Sequence, residues 1–160
     1  MTTQTSTGRP KAYVTRDGTP RHELFDSEAQ AEARRWEKIK SSQVRRFFGQ
    51  VRADLRKIEL DGEAANDEQA RVAMAFLKAT SAYAAAREDA RKPLAEFAAH
   101  HARIVNTIGD FKVFARHFEA VVAWHRVFEE QRKKTGTPDP DRPGQVITGG
   151  DTDGSRGKDR

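Results

Sequence analysis

Six apolar residues between Val44 and Ile58 (Val44, Phe47, Phe48, Val51, Leu55, Ile58) recur at i, i+3, i+4, i+7, i+11 and i+14. At about 100° per residue they gather on roughly 100° of one helical face, whereas a strand would need alternation with a period of two. The same rhythm returns in Phe111, Phe114, Phe118, Val121, Val122 and Phe128. Two apolar stripes of this length must bury against something. In a chain with 36% hydrophobic residues and no internal repeat, the economical solution is one helical bundle.

Three further helices complete the expected architecture. Ser27 and Gln30 are spaced as a capping box for a helix reaching about Ile39, with Ala29, Ala33 and Trp36 as a thin stripe. The Val44 helix opens at Ser41 or Ser42 and stops at Asp61-Gly62. Asn66 and Gln69 cap a helix over about 67–88 with two apolar sides. Met74, Leu77, Ala84 and Ala85 lie on one side; Val72, Phe76, Ala79 and Tyr83 lie on the other, which predicts a central helix with neighbours on both sides. Pro93 suits the first turn of a fourth helix carrying Leu94, Phe97, Ala98, His101, Ile104, Val105 and Ile108, with Gly109 as its stop. Asp110 is expected to cap the fifth, which runs to about Lys133. The fold class is thus all-α, a compact bundle of about five helices. It occupies residues 23–134, between a flexible basic arm (1–22) and a disordered, Gly/Pro-rich tail (135–160).

Zero cysteines exclude disulfides, thiolate zinc sites and a cysteine nucleophile. No run of 18 apolar residues suggests a membrane span, and MTTQTSTGRPKAYV lacks the apolar core of a secretion signal, so the cytoplasm is the expected compartment. The five histidines offer no i, i+4 pair and no HExxH. His101 and His125 fall within apolar stripes and His117 at the edge of one, which marks them as buried, hydrogen-bonded groups rather than ligands. No Gly-rich phosphate loop, Gly-x-Ser-x-Gly or acidic triplet appears, so neither a cofactor, a metal nor an active site is expected.

The formal net charge is +5, and it is unevenly spread. Lys40 to Lys57 holds six basic residues against Asp54, whereas 61–92 holds five basic and six acidic ones. Arg45, Arg52 and Arg56 share one flank of the Val44 stripe, with Gly49 beside them; Arg46 and Lys57 point away from the core. Arg45 to Arg56 covers about 16 Å of axis, a length that meets several successive phosphates. A solvated face whose arginines pair with acids of neighbouring helices explains the same pattern.

Three stretches together resemble the small subunit of the type III-A CRISPR–Cas effector, the compact helical member of the Csm family. They are SSQVRRFFGQV at 41–51, FLKATSAYAAARED at 76–89 and FKVFARHFEAVVAWHRVF at 111–128. Departures from the family pattern are Trp124 for tyrosine, Arg126 for lysine and Ser81 for leucine. The resemblance implies a five- or six-helix bundle present in several copies, stacked as an inner filament beside a filament of backbone subunits. Guide RNA and its target transcript lie between the two. It also implies a subunit that cuts nothing, with RNase activity in the backbone subunits and DNase and cyclic-oligoadenylate synthesis in the large one. Arg45 and Arg126 match basic positions of the first and third segments, and Lys78 and Arg87 match the second. With Lys40, Arg46, Arg52 and Arg56 from the basic run, Lys40, Arg45, Arg46, Arg52, Arg56, Lys78 and Arg126 are the candidate RNA-contacting residues. Because guides vary in sequence, the contacts are expected on the phosphate–sugar chain. A protein-interaction module that only bridges subunits is the alternative.

Overall fold

The computed structural model describes residues 13–136, and five α-helices account for most of them. They are α1 (Ser27–Arg35), α2 (Ser41–Asp61), α3 (Asp67–Arg87), α4 (Lys92–Ala102) and α5 (Ile108–Lys134). Short 3-10 turns precede α1, α3 and α4. Among the described residues no strand forms; the one isolated bridge joins Val14 to Pro20. No described helix is long and apolar enough to cross a membrane.

The apolar rhythm places α5 at the centre. Phe111, Phe114, Phe118 and Val121 are fully buried, and α5 packs against α1, α2 and α3, while α4 packs on α3. Trp36 and Phe97 meet Phe118 edge-on at 5.6 and 5.2 Å between ring centroids, and Phe48 meets it at 5.5 Å. These aromatic edges tie the residue that follows α1, together with α4 and α2, to one residue of α5.

Helix ends follow their capping chemistry with instructive exceptions. Asn66 and Gln69 form a reciprocal capping box on α3, as their spacing indicates. Gly62, at φ 53°, ends α2 in a conformation that side chains rarely adopt. The box expected at Ser27 is absent: Asp26 occupies the cap position, and Gln30 donates instead to its carboxylate at 2.7 Å. Rather than reaching Ile39, α1 ends at Arg35. The carbonyls of Trp36 and Ile39 turn toward His125, whose Nε2–H donates to both at 3.1 Å. Lys40 rather than Ser41 holds the cap position of α2, and the Ser41 hydroxyl donates to the buried Glu129 carboxylate at 2.7 Å.

The fourth helix is shorter than its apolar spacing predicts. It stops at Ala102, because Thr107 and Asp110 form a capping box that starts α5 there, and Asp110 serves as the third residue of that box rather than the cap. Ile108 N–H donates to Asp67 Oδ1 at 2.8 Å, fixing the new start against α3. Gly109 therefore lies in the first turn of α5 rather than closing α4. Val105 is still buried, from the connecting turn.

One larger correction concerns exposure. Among the described residues nothing covers the second apolar side of α3: Val72, Phe76 and Tyr83 are 58%, 59% and 67% exposed. At the described end of the arm expected over 1–22, Tyr13 is buried and its hydroxyl pairs with His101 Nδ1 at 2.5 Å. Residues 1–12 of that arm and 137–160 of the tail lie outside the described residues.

Candidate nucleic-acid interface

The register of α2 on α5 is fixed at two points. Ser41 at the start of α2 bonds Glu129 near the end of α5, and Phe48 packs on Phe118. The helices are therefore antiparallel, with Arg45 roughly level with Arg126 and Arg56 roughly level with Lys112. On α5 the residues facing α2 are Phe118 and Glu129; Lys112, Glu119 and Arg126 follow one another at i, i+7 and i+14 on the flank just outside that contact. On α2, Arg45, Arg52 and Arg56 sit just outside the flank that carries Ser41 and Phe48. The two cationic flanks border the same seam.

All the arginines of this seam are exposed. None of Arg45, Arg52, Arg56 and Arg126 takes part in an ion pair with a described residue. The ion pairs formed by other arginines lie away from this seam: Arg21 pairs with Glu28 at 2.8 Å, Arg71 with Glu68 at 2.7 Å, Arg91 with Glu88 at 2.6 Å, and Arg35 with Glu32 and Glu96. Arg52 instead lies over the Phe48 ring, 5.8 Å from its centroid, which props the guanidinium along the seam. Among the described residues these four arginines are solvated rather than paired with acids of neighbouring helices.

A shallow surface groove of about 790 Å³ runs along the outer side of α2, lined by Gly49, Arg52, Arg56 and their neighbours through Leu60. A Cβ on Gly49 would meet nothing within 4 Å. The glycine is therefore needed neither for backbone conformation nor for packing inside this chain. Its absent side chain widens the groove between the arginines.

The remaining candidates scatter. Lys40 precedes α2, near the end of α5, and is exposed. Arg46 is exposed on the side of α2 that faces away from the core. Lys78 lies across α3 from the groove it shares with α2, on the flank where Arg71 reaches the carbonyl of Asn106 at 2.9 Å. These three do not join the seam. Lys112 does, although it belongs neither to the basic run nor to a matched basic position; its spacing of two heptads from Arg126 on the fifth helix is the one signal the sequence carries for it.

The histidines supply no chemistry here. His101, His117 and His125 are buried, and burial pushes each below the ordinary imidazole range. His117 Nδ1–H donates to the Leu24 carbonyl at 2.5 Å. Among the described residues no group of His, Asp and Glu is placed to hold a metal ion.

Among the described residues the chain is a strand-free helical bundle with exposed arginines along the α2/α5 seam. A family model described as Csm2 Type III-A matches residues 19–131, most of the chain, and the protein belongs to that family, the small subunit of the type III-A CRISPR–Cas complex. No curated protein and no solved structure matches it.

Proposed function

We propose that this subunit is non-catalytic and that it lays the α2/α5 seam along the sugar–phosphate chain of the guide–target RNA. It does so as one of several copies stacked in the inner filament of the cytoplasmic effector, beside the backbone and large subunits. One observation carries the reading: Arg45, Arg52, Arg56 and Arg126 line one seam, exposed and without acidic partners among the described residues. Guanidinium forks match phosphate oxygens in pairs, and binding to the RNA backbone suits a guide of any sequence. The open space at Gly49 gives a strand room to approach α2 between the side chains.

The test replaces Arg45, Arg52 and Arg56 together by alanine in the assembled effector. All three are exposed, so the thermal midpoint of the subunit should hardly move. Retention of target RNA should fall, and its log–log dependence on salt should flatten by about 0.7 to 0.9 for each phosphate no longer neutralised. Retention and salt slope equal to wild type would remove the seam from RNA binding. RNA cross-links confined to other subunits would favour the bridging module instead.

A further inference from the structure

A groove of about 460 Å³ runs between α2 and α3, beside the hairpin that joins them. Part of its lining is apolar: Ile58 is buried, and Val72 and Phe76 stand exposed. Asp54 lies half-buried in the same lining and makes no hydrogen bond or ion pair with a described residue. Burial pushes its carboxyl above the usual range, and Lys57, which also lines the groove, offsets this in part without pairing. A carboxylate partly withdrawn from water and lacking a donor is stabilised by any cationic donor brought to it. The surroundings reinforce that charge. In a chain of formal net charge +5, the stretch from Asp61 to Ala70 holds Asp61, Glu63, Asp67 and Glu68 and no Lys or Arg. Glu68 lines the groove, and Asp61 accepts a hydrogen bond at 2.6 Å from Gln69, which lines it too.

We propose that the α2–α3 groove docks a short segment of another protein in which an arginine is flanked by apolar side chains. The guanidinium pairs with Asp54, and the apolar side chains cover Ile58, Val72 and Phe76. Arginine suits the position better than lysine, because its planar fork meets a carboxylate through two parallel hydrogen bonds. The lining on α3 runs from Asn66 to Phe76, about 15 Å of helix axis, which matches four or five residues of extended chain. In such a segment side chains two residues apart, about 7 Å, point the same way, so arginine and an apolar neighbour face the groove together. Charge decides the class of partner. The acids of the hairpin repel phosphate, which disfavours nucleic acid and anionic lipid here. The densest cationic surface of the chain, the α2/α5 seam, is committed to RNA on the function proposed above. The choice of a foreign segment over a second copy rests on that reading.

The test titrates the full chain into a dye-labelled hexapeptide that alternates arginine and leucine, read by fluorescence polarisation. Saturable binding is expected, and Asp54→Asn and Phe76→Ser should each weaken it by about tenfold. Phe76 is exposed and Asp54 only half-buried, so both variants should keep the wild-type circular dichroism spectrum. A peptide alternating glutamate and leucine should not bind, and hexa-arginine should bind about tenfold more weakly than the arginine–leucine peptide. Replacing Arg45, Arg52 and Arg56 together by alanine should leave the peptide affinity unchanged, so loss of RNA binding and loss of peptide binding are read apart. Groove variants that bind the peptide as tightly as wild type overturn the proposal, as does hexa-arginine binding equally well. Sedimentation showing that the wild-type chain self-associates and that Asp54→Asn returns it to monomer would also overturn it, by making a second copy the occupant.

Discussion

Three histidines hold distant pieces of chain against the core: His101 takes the Tyr13 hydroxyl, His117 the Leu24 carbonyl, and His125 the carbonyls of Trp36 and Ile39. Burial depresses all three imidazoles below their ordinary value of 6.5, so the fold holds them neutral where the unfolded chain takes up protons. Their contribution is complete above pH 6.5 and is lost as pH falls toward the depressed values. Each adds up to about 1.4 kcal/mol per pH unit to the slope. Tyr13 works in the opposite direction: burial raises its phenol far above the ordinary 10.0, so its contribution is full below pH 10 and lost above it. Urea unfolding followed across pH should therefore give a plateau between about pH 7 and 9 with losses on both sides. A stability that is flat from pH 7 to 4.5 would contradict the buried-histidine account. That these histidines are buried was legible from their places in apolar stripes. Their partners were not, since two of the three bond carbonyls in turns about 90 residues away in the chain, which carry no sequence signature. The arginine flank of α2 was legible for the opposite reason: it depends only on the 3.6-residue period. Arg126 joins it only through the register of α5, which no local pattern encodes.

At the scale of the element, α2 contains a residue that works against the helix. A glycine in mid-helix costs about 1 kcal/mol relative to alanine, and at Gly49 a Cβ would touch nothing within 4 Å. Gly49→Ala should therefore raise the thermal midpoint of the free subunit by a few degrees, read by circular dichroism. If an RNA strand lies in the groove beside it, the same change should lower target retention by the assembled effector. A rise in stability with no loss of retention would leave the glycine without a functional reason. The ends of α4 and α5 show where periodicity alone misleads. His101, Ile104, Val105 and Ile108 continue a helical stripe, yet the Thr107–Asp110 box and the bond from Ile108 to Asp67 start a new helix there. Val105 stays buried from a turn, so the core keeps its residue while the helix boundary moves. The outer side of α3 misleads differently: apolar spacing reports that a face wants cover, and cannot say whether this chain supplies it.

Across the whole molecule, residues 13–22 act as a strap over the α4–α5 corner. Tyr13 stacks on His101, with ring centroids 5.7 Å apart, and Val14 bridges to Pro20. Polar, Gly-punctuated sequence hid this anchor, because one buried tyrosine leaves no periodic pattern. Tyr13→Ala should cost roughly 3 kcal/mol, as loss of a buried aromatic does, whereas Tyr13→Phe should cost about 1 to 3 kcal/mol by stranding the His101 nitrogen. Equal stability of all three proteins in urea would mean the strap contributes nothing. The match to the family begins at residue 19, inside the strap, so its anchoring tyrosine falls before the matched region. The arginine-lined groove of α2 and the groove between α2 and α3 share Lys57 alone among their lining residues. Substitutions can therefore reshape either surface while leaving the other almost unchanged.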